Sequence, residues 1–126
     1  MSEAKTILIV DDEPDIVNLT EKFLRLEKLN TITASNGKEA LEIIEEKYNV
    51  IDLILLDIMM PGKSGYTILK EIKANEKIKH IIVILFTVKS FMEDIQKGKK
   101  LGADGYLTKP FSGKTLVKLI KEKLNL

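Results

Sequence analysis

The 126-residue sequence contains no cysteine, a single histidine and no long hydrophobic run. Without cysteine the chain cannot form a disulfide scaffold or a thiolate metal site. No apolar run approaches the ~18 residues of a transmembrane helix, and the amino terminus, MSEAK, lacks the apolar core of a signal peptide. The sequence therefore indicates neither membrane insertion nor secretion, and the lack of cysteine agrees with a cytoplasmic location.

Repeats, low-complexity segments and linkers are also lacking, and the length is that of one domain with a single core. Hydrophobic residues make up 44% of the chain and charged residues 31%, which is typical of a globular protein. We therefore expect one domain over residues 1–126, with an ordered core at about 5–124.

Charge of one sign is scarce overall, since the net charge is only +1, but its distribution is uneven. Residues 89–126 contain nine lysines and four acidic residues, whereas residues 1–88 contain eleven basic and fifteen acidic residues. This asymmetry favours a carboxy-terminal face for an acidic protein partner, with solvated lysines as the alternative. The basic segment lacks interleaved aromatic residues, so nucleic acid is an unlikely partner.

Five short segments predict strands, because apolar or β-branched residues dominate each and polar, Gly or Pro residues end it. The third and fourth are apolar at almost every position, which indicates strands covered on both faces. The predicted strands are Thr6–Val10, Thr31–Ala34, Ile51–Leu56, Ile81–Phe86 and Gly105–Thr108.

The segments between and after these strands show helical periodicity. The first begins at Pro14, which suits a first helical turn, and its apolar stripe is predicted to be Ile16, Leu19, Phe23 and Leu26. The fourth, about Phe91–Leu101, has the thinnest apolar face and an internal glycine, Gly98, so we expect a helix of low intrinsic stability. The inward residues predicted for the other helices are Ala40, Leu41, Ile44 and Tyr48; Ile68, Leu69 and Ile72; and Leu116, Leu119, Ile120 and Leu124.

This alternation of five strands and five helices predicts an α/β fold with a parallel sheet covered on both faces. Right-handed crossovers favour a doubly wound five-stranded sheet. In such a sheet every strand ends at the same edge, where open α/β sheets bind their ligands.

Polar residues follow four of the five strands at that edge: Asp11 and Asp12, Asp57, Thr87, and Lys109. Three carboxylates brought together repel one another unless a cation lies among them, and Mg²⁺ suits a site with few carboxylates. A lysine ammonium and a threonine hydroxyl suit the oxygens of a phosphoryl group, and an aspartate can itself be the nucleophile. The arrangement favours Mg²⁺-dependent phosphoryl transfer to an aspartate.

Four motifs at these positions resemble the receiver domain of two-component response regulators. They are VDDE at 10–13, LLDIMMPGKSG at 55–65, the threonine after the fourth strand, and YLTKPF at 106–111. The resemblance covers about Lys5 to Leu124, and in size and layout the chain is similar to the single-domain chemotaxis regulators. It implies a flavodoxin-like (βα)5 fold.

The resemblance also implies a role for each site residue. Asp57 is the expected phosphoacceptor, and Thr87 and Lys109 are expected to bind the phosphoryl oxygens. Mg²⁺ is the expected cofactor, held by Asp57, by Asp12 directly, by Asp11 partly through a water, and by the backbone carbonyl of Met59. Thr87 and Tyr106 are the expected switch residues.

The partners implied are a sensor histidine kinase or phosphotransfer protein and a downstream protein that contacts the fourth helix, fifth strand and last helix. The chain is then a signalling domain that catalyses only its own phosphorylation and dephosphorylation.

Two departures from the family pattern affect the expected rates. Val88 stands where a small residue is usual, which narrows the approach of the phosphoryl group. Met59 and Lys89 flank the expected path of the attacking water, and neither side chain is a strong acceptor, so autodephosphorylation is expected to be slow.

The alternative function is an aspartate-nucleophile phosphatase of the haloacid dehalogenase type, which also uses Asp, Thr, Lys and Mg²⁺. Against it, Asp11 and Asp12 are adjacent where that class has DxD, and the chain is too short for a cap domain. Simpler roles are the alternatives for four residues: helix capping for Glu13, loop packing for Met59 and Met60, and surface exposure for His80.

Overall fold

The computed structural model describes residues 4–87 and 92–126, without the side chains of 92–94. Its centre is a five-stranded parallel sheet in the order β2-β1-β3-β4-β5. The strands are β1 (Thr6–Val10), β2 (Asn30–Ala34), β3 (Leu53–Asp57), β4 (Ile82–Thr87) and β5 (Gly105–Thr108). The predicted α/β, flavodoxin-like fold with a doubly wound sheet is confirmed.

Five helices cover the two faces of this sheet. They are α1 (Pro14–Leu26), α2 (Gly37–Lys47), α3 (Gly65–Ala74), α4 (Met92–Lys100) and α5 (Gly113–Leu124). One hydrophobic cluster joins α2 and α3 to the sheet and includes Tyr106, and the other joins α1 and α5 to the opposite face. The three central strands are buried on both faces, as their uniform apolar sequences predict.

The third strand begins two residues later than predicted. Ile51 and Asp52 precede it, because the Asp52 carboxylate accepts a hydrogen bond from the backbone nitrogen of Thr6 at 2.8 Å. At the other end Asp57 still pairs in register with Phe86 of β4. Asp57 is therefore held by the sheet itself and not by the loop that follows.

The predicted apolar stripe of α1 is confirmed at Phe23, which is partly buried against the hydrophobic core, but it is wrong at Leu19 and Leu26. Thr20 and Leu24 are the buried residues of this helix, whereas Leu19 and Leu26 are 43% and 71% exposed. Thr20 is accommodated because its hydroxyl donates to the carbonyl of Ile16 at 2.7 Å. A polar residue that satisfies its own hydrogen bond thus takes a core position that apolar periodicity assigns elsewhere.

Three of the helices begin at polar residues whose side chains cap them. The side chains of Asn36, Ser64 and Ser112 accept hydrogen bonds from the first turns of α2, α3 and α5. Glu13 stands at the N-cap position of α1, but its side chain makes no capping hydrogen bond.

Three residues named in the sequence predictions, Val88, Lys89 and Phe91, lie outside the described residues. Within the described part of the chain, no helix is long and apolar enough to cross a membrane.

Candidate functional site

The carboxyl edge of the sheet brings together four polar residues from separate parts of the chain. Asp11 directly follows β1, Asp57 ends β3, Thr87 ends β4, and Lys109 directly follows β5. Each is less than a tenth exposed. The register places them side by side, since Thr87 pairs with Thr108 and the backbone nitrogen of Lys109 donates to the Thr87 carbonyl at 2.6 Å.

The loop after Asp57 folds back tightly onto the strand. The backbone nitrogen of Met59 donates to Asp57 Oδ1 at 3.1 Å, and that of Gly65 donates to the Ile58 carbonyl at 3.0 Å. A Cβ at Gly65 would lie 2.8 Å from Ile58 Cα and would also overlap the Asp57 carbonyl. Only glycine permits this close approach, which fixes the start of α3 against the backbone of Asp57.

The ammonium of Lys109 lies among the carboxylates of the site. Its Nζ is 2.6 Å from Asp11 Oδ2 and 3.4 Å from Asp57 Oδ2. It is also 3.4 Å from Glu13 Oε1 and 5.7 Å from the centre of the Phe86 ring. One ammonium therefore serves three carboxylates, of which two are buried.

Burial, together with the negative charge of Asp11, raises the pKa of Asp57 from 3.8 to about 7. The Lys109 ammonium and the Met59 backbone hydrogen bond act in the opposite direction. For Lys109, burial lowers the pKa, but the close contact with Asp11 and the negative charges of Asp57, Asp11 and Glu13 together outweigh burial and raise it. The lysine thus stays charged, while Asp57 is held near the midpoint of its titration at neutral pH.

Carboxylate oxygens of Asp11, Asp12, Glu13 and Asp57 lie within 4.8 Å of one another. The buried Asp11 Oδ2 has the Lys109 ammonium in ion-pair contact, but it makes no hydrogen bond of good geometry among the described residues. Asp12 and Glu13 are exposed. A set of hard oxygen donors with an unsatisfied buried member and open access suits a hard divalent cation such as Mg²⁺.

Tyr106 lies on β5 beside α4. Its hydroxyl donates to the backbone carbonyl of Ile95 at 2.6 Å, and burial raises its pKa. A Cβ at Gly98 would come within 2.9 Å of the Tyr106 ring and 2.7 Å of Leu85 Cδ1. The Tyr106 ring is thus partly buried against α4.

Sequence reasoning missed two of these arrangements. Glu13 contacts Lys109. The only signal in the sequence for a role at the site was the position of Glu13 directly after two aspartates. Gly98, interpreted from the sequence as a weakness of α4, allows Tyr106 and Leu85 to pack against that helix.

Of the two adjacent methionines, Met59 is 72% exposed and Met60 is buried, so the loop-packing interpretation fits only Met60. His80 is exposed, as predicted.

The model of the response regulator receiver domain family matches residues 7–121 of this chain. The chain belongs to that family. The receiver domain is 42% identical over 118 residues to response regulator SaeR of Staphylococcus aureus and 38% identical over 115 residues to transcriptional regulatory protein CpxR of Escherichia coli. These alignments cover 94% and 91% of the chain but 50% and 47% of the relatives, so the chain spans about half the length of the curated relatives it matches.

Solved receiver structures have the same fold. A putative response regulator from Chloroflexus aurantiacus superposes with a TM-score of 0.91 at 31% identity, over 98% of this chain and all of the other. The chemotaxis protein CheY4 of Vibrio cholerae superposes with a TM-score of 0.89 at 29% identity, over 95% and 98% of the two chains. The phosphatase alternative finds no support in these comparisons.

Proposed function

We propose that this receiver domain accepts a phosphoryl group on Asp57 from a histidine kinase or phosphotransfer protein and relays the signal through a conformational switch. The observation that carries the proposal is the position of Asp57. This carboxylate is 2% exposed at the end of a central strand, 3.4 Å from a buried lysine and beside three further acidic side chains. Such a carboxylate has a cation at hand to balance an incoming phosphoryl group.

Mg²⁺ is the cofactor that these oxygen donors fit best. The carboxylates of Asp11, Asp12 and Asp57 and the backbone carbonyl of Met59 would hold it. When bound, the cation neutralises charge on the carboxylates and on the phosphoryl oxygens. Glu13, the fourth acid of the cluster, is in addition a partner of Lys109.

In the proposed transfer an oxygen of ionised Asp57 attacks the phosphorus of the donor. The phosphorus–nitrogen bond of a phosphohistidine breaks, and the imidazole nitrogen keeps the electron pair and takes up a proton. Lys109 and Thr87, both buried at the same edge, are placed to bind the phosphoryl oxygens. The Asp57 carboxylate becomes an acyl phosphate, so the domain is consumed and regenerated and does not turn over a separate substrate.

The test is incubation of the protein with acetyl phosphate and Mg²⁺, followed by mass spectrometry. One added phosphoryl group that maps to Asp57 is expected, and chelation of the metal should prevent it. Stoichiometric labelling at another residue would contradict the assignment. A steady-state assay with small phosphoesters separates this function from a phosphatase, since a receiver should show no turnover.

The proposed switch runs from Thr87 to Tyr106. A phosphoryl group adds acceptor oxygens and negative charge that draw the Thr87 hydroxyl and Lys109 towards Asp57. Tyr106 then leaves its hydrogen bond to Ile95 and rotates into the space beside β4, and α4 shifts with it. Phosphorylation favours the shifted conformation. If the partner also binds that conformation more tightly than the other, phosphorylation and partner binding strengthen each other.

The output face is proposed to consist of α4, β5 and α5, where lysines concentrate and an acidic partner fits. Partner affinity should rise with a phosphoryl mimic in the wild type and much less in Thr87→Ala. Equal enhancement in both proteins would remove Thr87 from the coupling. Amide shifts confined to the loop after Asp57 would remove the proposed face.

The extent of the domain and its location remain proposals as well. We propose that residues 1–126 form one receiver domain that exchanges phosphoryl groups in the cytoplasm. Limited proteolysis of the complete protein would test the extent, since a stable fragment should contain residues 5–124 intact.

A further inference from the structure

One side chain of α4 makes a contact that the proposed switch does not use. Lys97 Nζ lies 4.4 Å from the centre of the Tyr66 ring, which belongs to the first turn of α3. This distance is well within the range of a cation–π interaction. The contact joins two helices on the same face of the sheet.

Tyr66 is held in place because its neighbour, Gly65, packs directly against the backbone at the end of β3. Gly65 approaches the backbone of Asp57 and Ile58 as closely as a glycine can, and its nitrogen is hydrogen bonded to Ile58. Tyr66 itself is partly buried and packs against the hydrophobic cluster under α2 and α3. Movement of α4 relative to the sheet therefore changes the distance between Lys97 and the ring.

Helix α4 has a second attachment, which is to Tyr106 of β5. The carbonyl of Ile95 accepts the Tyr106 hydroxyl, and Gly98 packs on the Tyr106 ring. Both attachments are made in the conformation in which Tyr106 is hydrogen bonded to Ile95, which is the conformation that the proposed switch leaves. A displacement of α4 of more than about 2 Å would carry Lys97 beyond the ~6 Å range in which the ring attracts a cation.

We propose that Lys97 and Tyr66 form a latch that holds α4 against α3 and so opposes the displacement of α4 that follows phosphorylation. The inference rests on the proposed function, and it adds a restraint that does not pass through Thr87 or Tyr106. Since the latch stabilises the unphosphorylated conformation, breaking it should make the phosphorylated conformation easier to reach.

The chain supplies matched controls for this latch. Lys77 lies 5.9 Å from the centre of the Tyr48 ring, which is the same chemistry away from α4. Lys99 is exposed on α4, and the described residues place no ring over it. Lys97→Met removes the charge but keeps the aliphatic stem, Lys97→Arg keeps the cation, and Lys77→Met and Lys99→Met remove one charge each elsewhere.

The experiment titrates each full-length variant with beryllofluoride, a phosphoryl mimic, in saturating Mg²⁺. Binding is followed by the amide NMR signal of Gly98 in protein labelled at glycine. Lys97→Met and Tyr66→Leu should each lower the dissociation constant about two- to fivefold, the size of an exposed cation–π contact. Each should also move the free Gly98 signal towards its bound position. Lys97→Arg, Lys77→Met and Lys99→Met should match the wild type.

A double-mutant cycle decides whether the two residues act together. The Lys97→Met, Tyr66→Leu double variant should bind no more tightly than either single variant. Additive effects, or an unchanged dissociation constant in Lys97→Met, would overturn the latch. If the wild type fails to bind beryllofluoride, the proposed function fails instead. The latch is then judged by the free Gly98 signal alone, and it is overturned if that signal is unmoved in Lys97→Met.

Discussion

At the amino edge of the sheet, Lys73 and Asp104 form an ion pair at 3.1 Å in which every charge has additional partners. Lys73 Nζ also donates to the carbonyls of Lys79 and Ile81, and Asp104 Oδ2 also accepts from the backbone nitrogen of Val83. At the carboxyl edge two buried carboxylates share one ammonium, and Asp11 Oδ2 lacks a well-formed hydrogen bond among the described residues.

The difference between the edges is one of hydrogen-bond satisfaction. An ion pair whose ammonium has three acceptors, and whose carboxylate oxygen has a second donor, holds elements in place even when it is partly exposed, here the end of α3 and the loop before β5. A buried pair of carboxylates with too few partners costs stability until a cation binds between them. The chemistry of the domain is therefore expected at the unsatisfied edge.

The largest expected difference between the edges is in phosphorylation. Asp57→Asn should abolish labelling by acetyl phosphate, since an amide is not a nucleophile of this kind. Asp104→Asn, an equally conservative change at the amino edge, should leave the labelling rate near that of the wild type. Mass spectrometry over a time course measures both, and a comparable loss in both variants would break the comparison.

The second expected difference is in stability, where the two edges should respond with opposite signs. Lys73→Met removes the ammonium from the two carbonyls and from Asp104, which keeps its bond from Val83, and should lower the free energy of unfolding by about 1 kcal/mol, since the pair is partly exposed. Asp57→Asn in metal-free buffer at pH 8 should raise it by about 1–3 kcal/mol, because it removes a charge that burial disfavours. Urea denaturation measures both, with Lys70→Met, an exposed change on α3, as the control.

The pH dependence of the wild type follows from the same carboxylate. The pKa of Asp57 is raised from 3.8 to about 7 in the folded protein, so between these values the folded state binds more protons than the unfolded state. Its contribution to the free energy of unfolding is present in full below about pH 4 and is lost as the pH rises towards and past 7. Asp57→Asn should lack this slope in metal-free buffer, and an unchanged slope would contradict the raised pKa.

A further effect on stability is expected from Mg²⁺, at the carboxyl edge alone. Saturation should raise the free energy of unfolding, by about 2.7 kcal/mol when the concentration is 100 times the dissociation constant. Asp12→Ala should weaken this gain, whereas Asp15→Ala, an exposed acid in the first turn of α1, should not. No shift in Tm on addition of Mg²⁺ would count against the metal site.

The smallest expected effect is on the lifetime of the phosphorylated state. Met59 is exposed two residues after Asp57, and its thioether is too weak a hydrogen-bond acceptor to orient an attacking water. Met59→Asn combined with Lys89→Glu should therefore speed the decay of phosphorylated protein severalfold after the donor is removed. Met59→Leu is the control and should decay as slowly as the wild type. Equal decay rates in all three proteins would refute the argument.

Much of the fold was predictable from local patterns. Uniform apolar runs marked the central strands because a strand buried on both faces has no polar side. Asn36, Ser64 and Ser112 marked helix starts because their side chains satisfy backbone groups nearby. The same logic located Asp11, Asp57, Thr87 and Lys109 at one edge, since all parallel strands end on the same side.

Contacts between distant side chains were not predictable in this way. A pattern assigns a residue to a face and an end of an element, but it does not say which partner lies opposite. The phase of α1 depended on the hydroxyl of Thr20 finding the Ile16 carbonyl. The ion pair of Lys73 with Asp104 and the contact of Lys97 with Tyr66 each join residues about 30 positions apart.

The sequence by itself thus determined the order of elements, the doubly wound sheet and the edge at which the acidic residues, Thr87 and Lys109 gather. Tertiary structure alone decided that Lys109 lies among the carboxylates, that the pKa of Asp57 is raised to about 7, and that Gly98 lets α4 pack on Tyr106. The physical reason is that hydrophobic periodicity acts through local burial, whereas charge balance and close packing depend on distances between atoms that only the folded chain brings together.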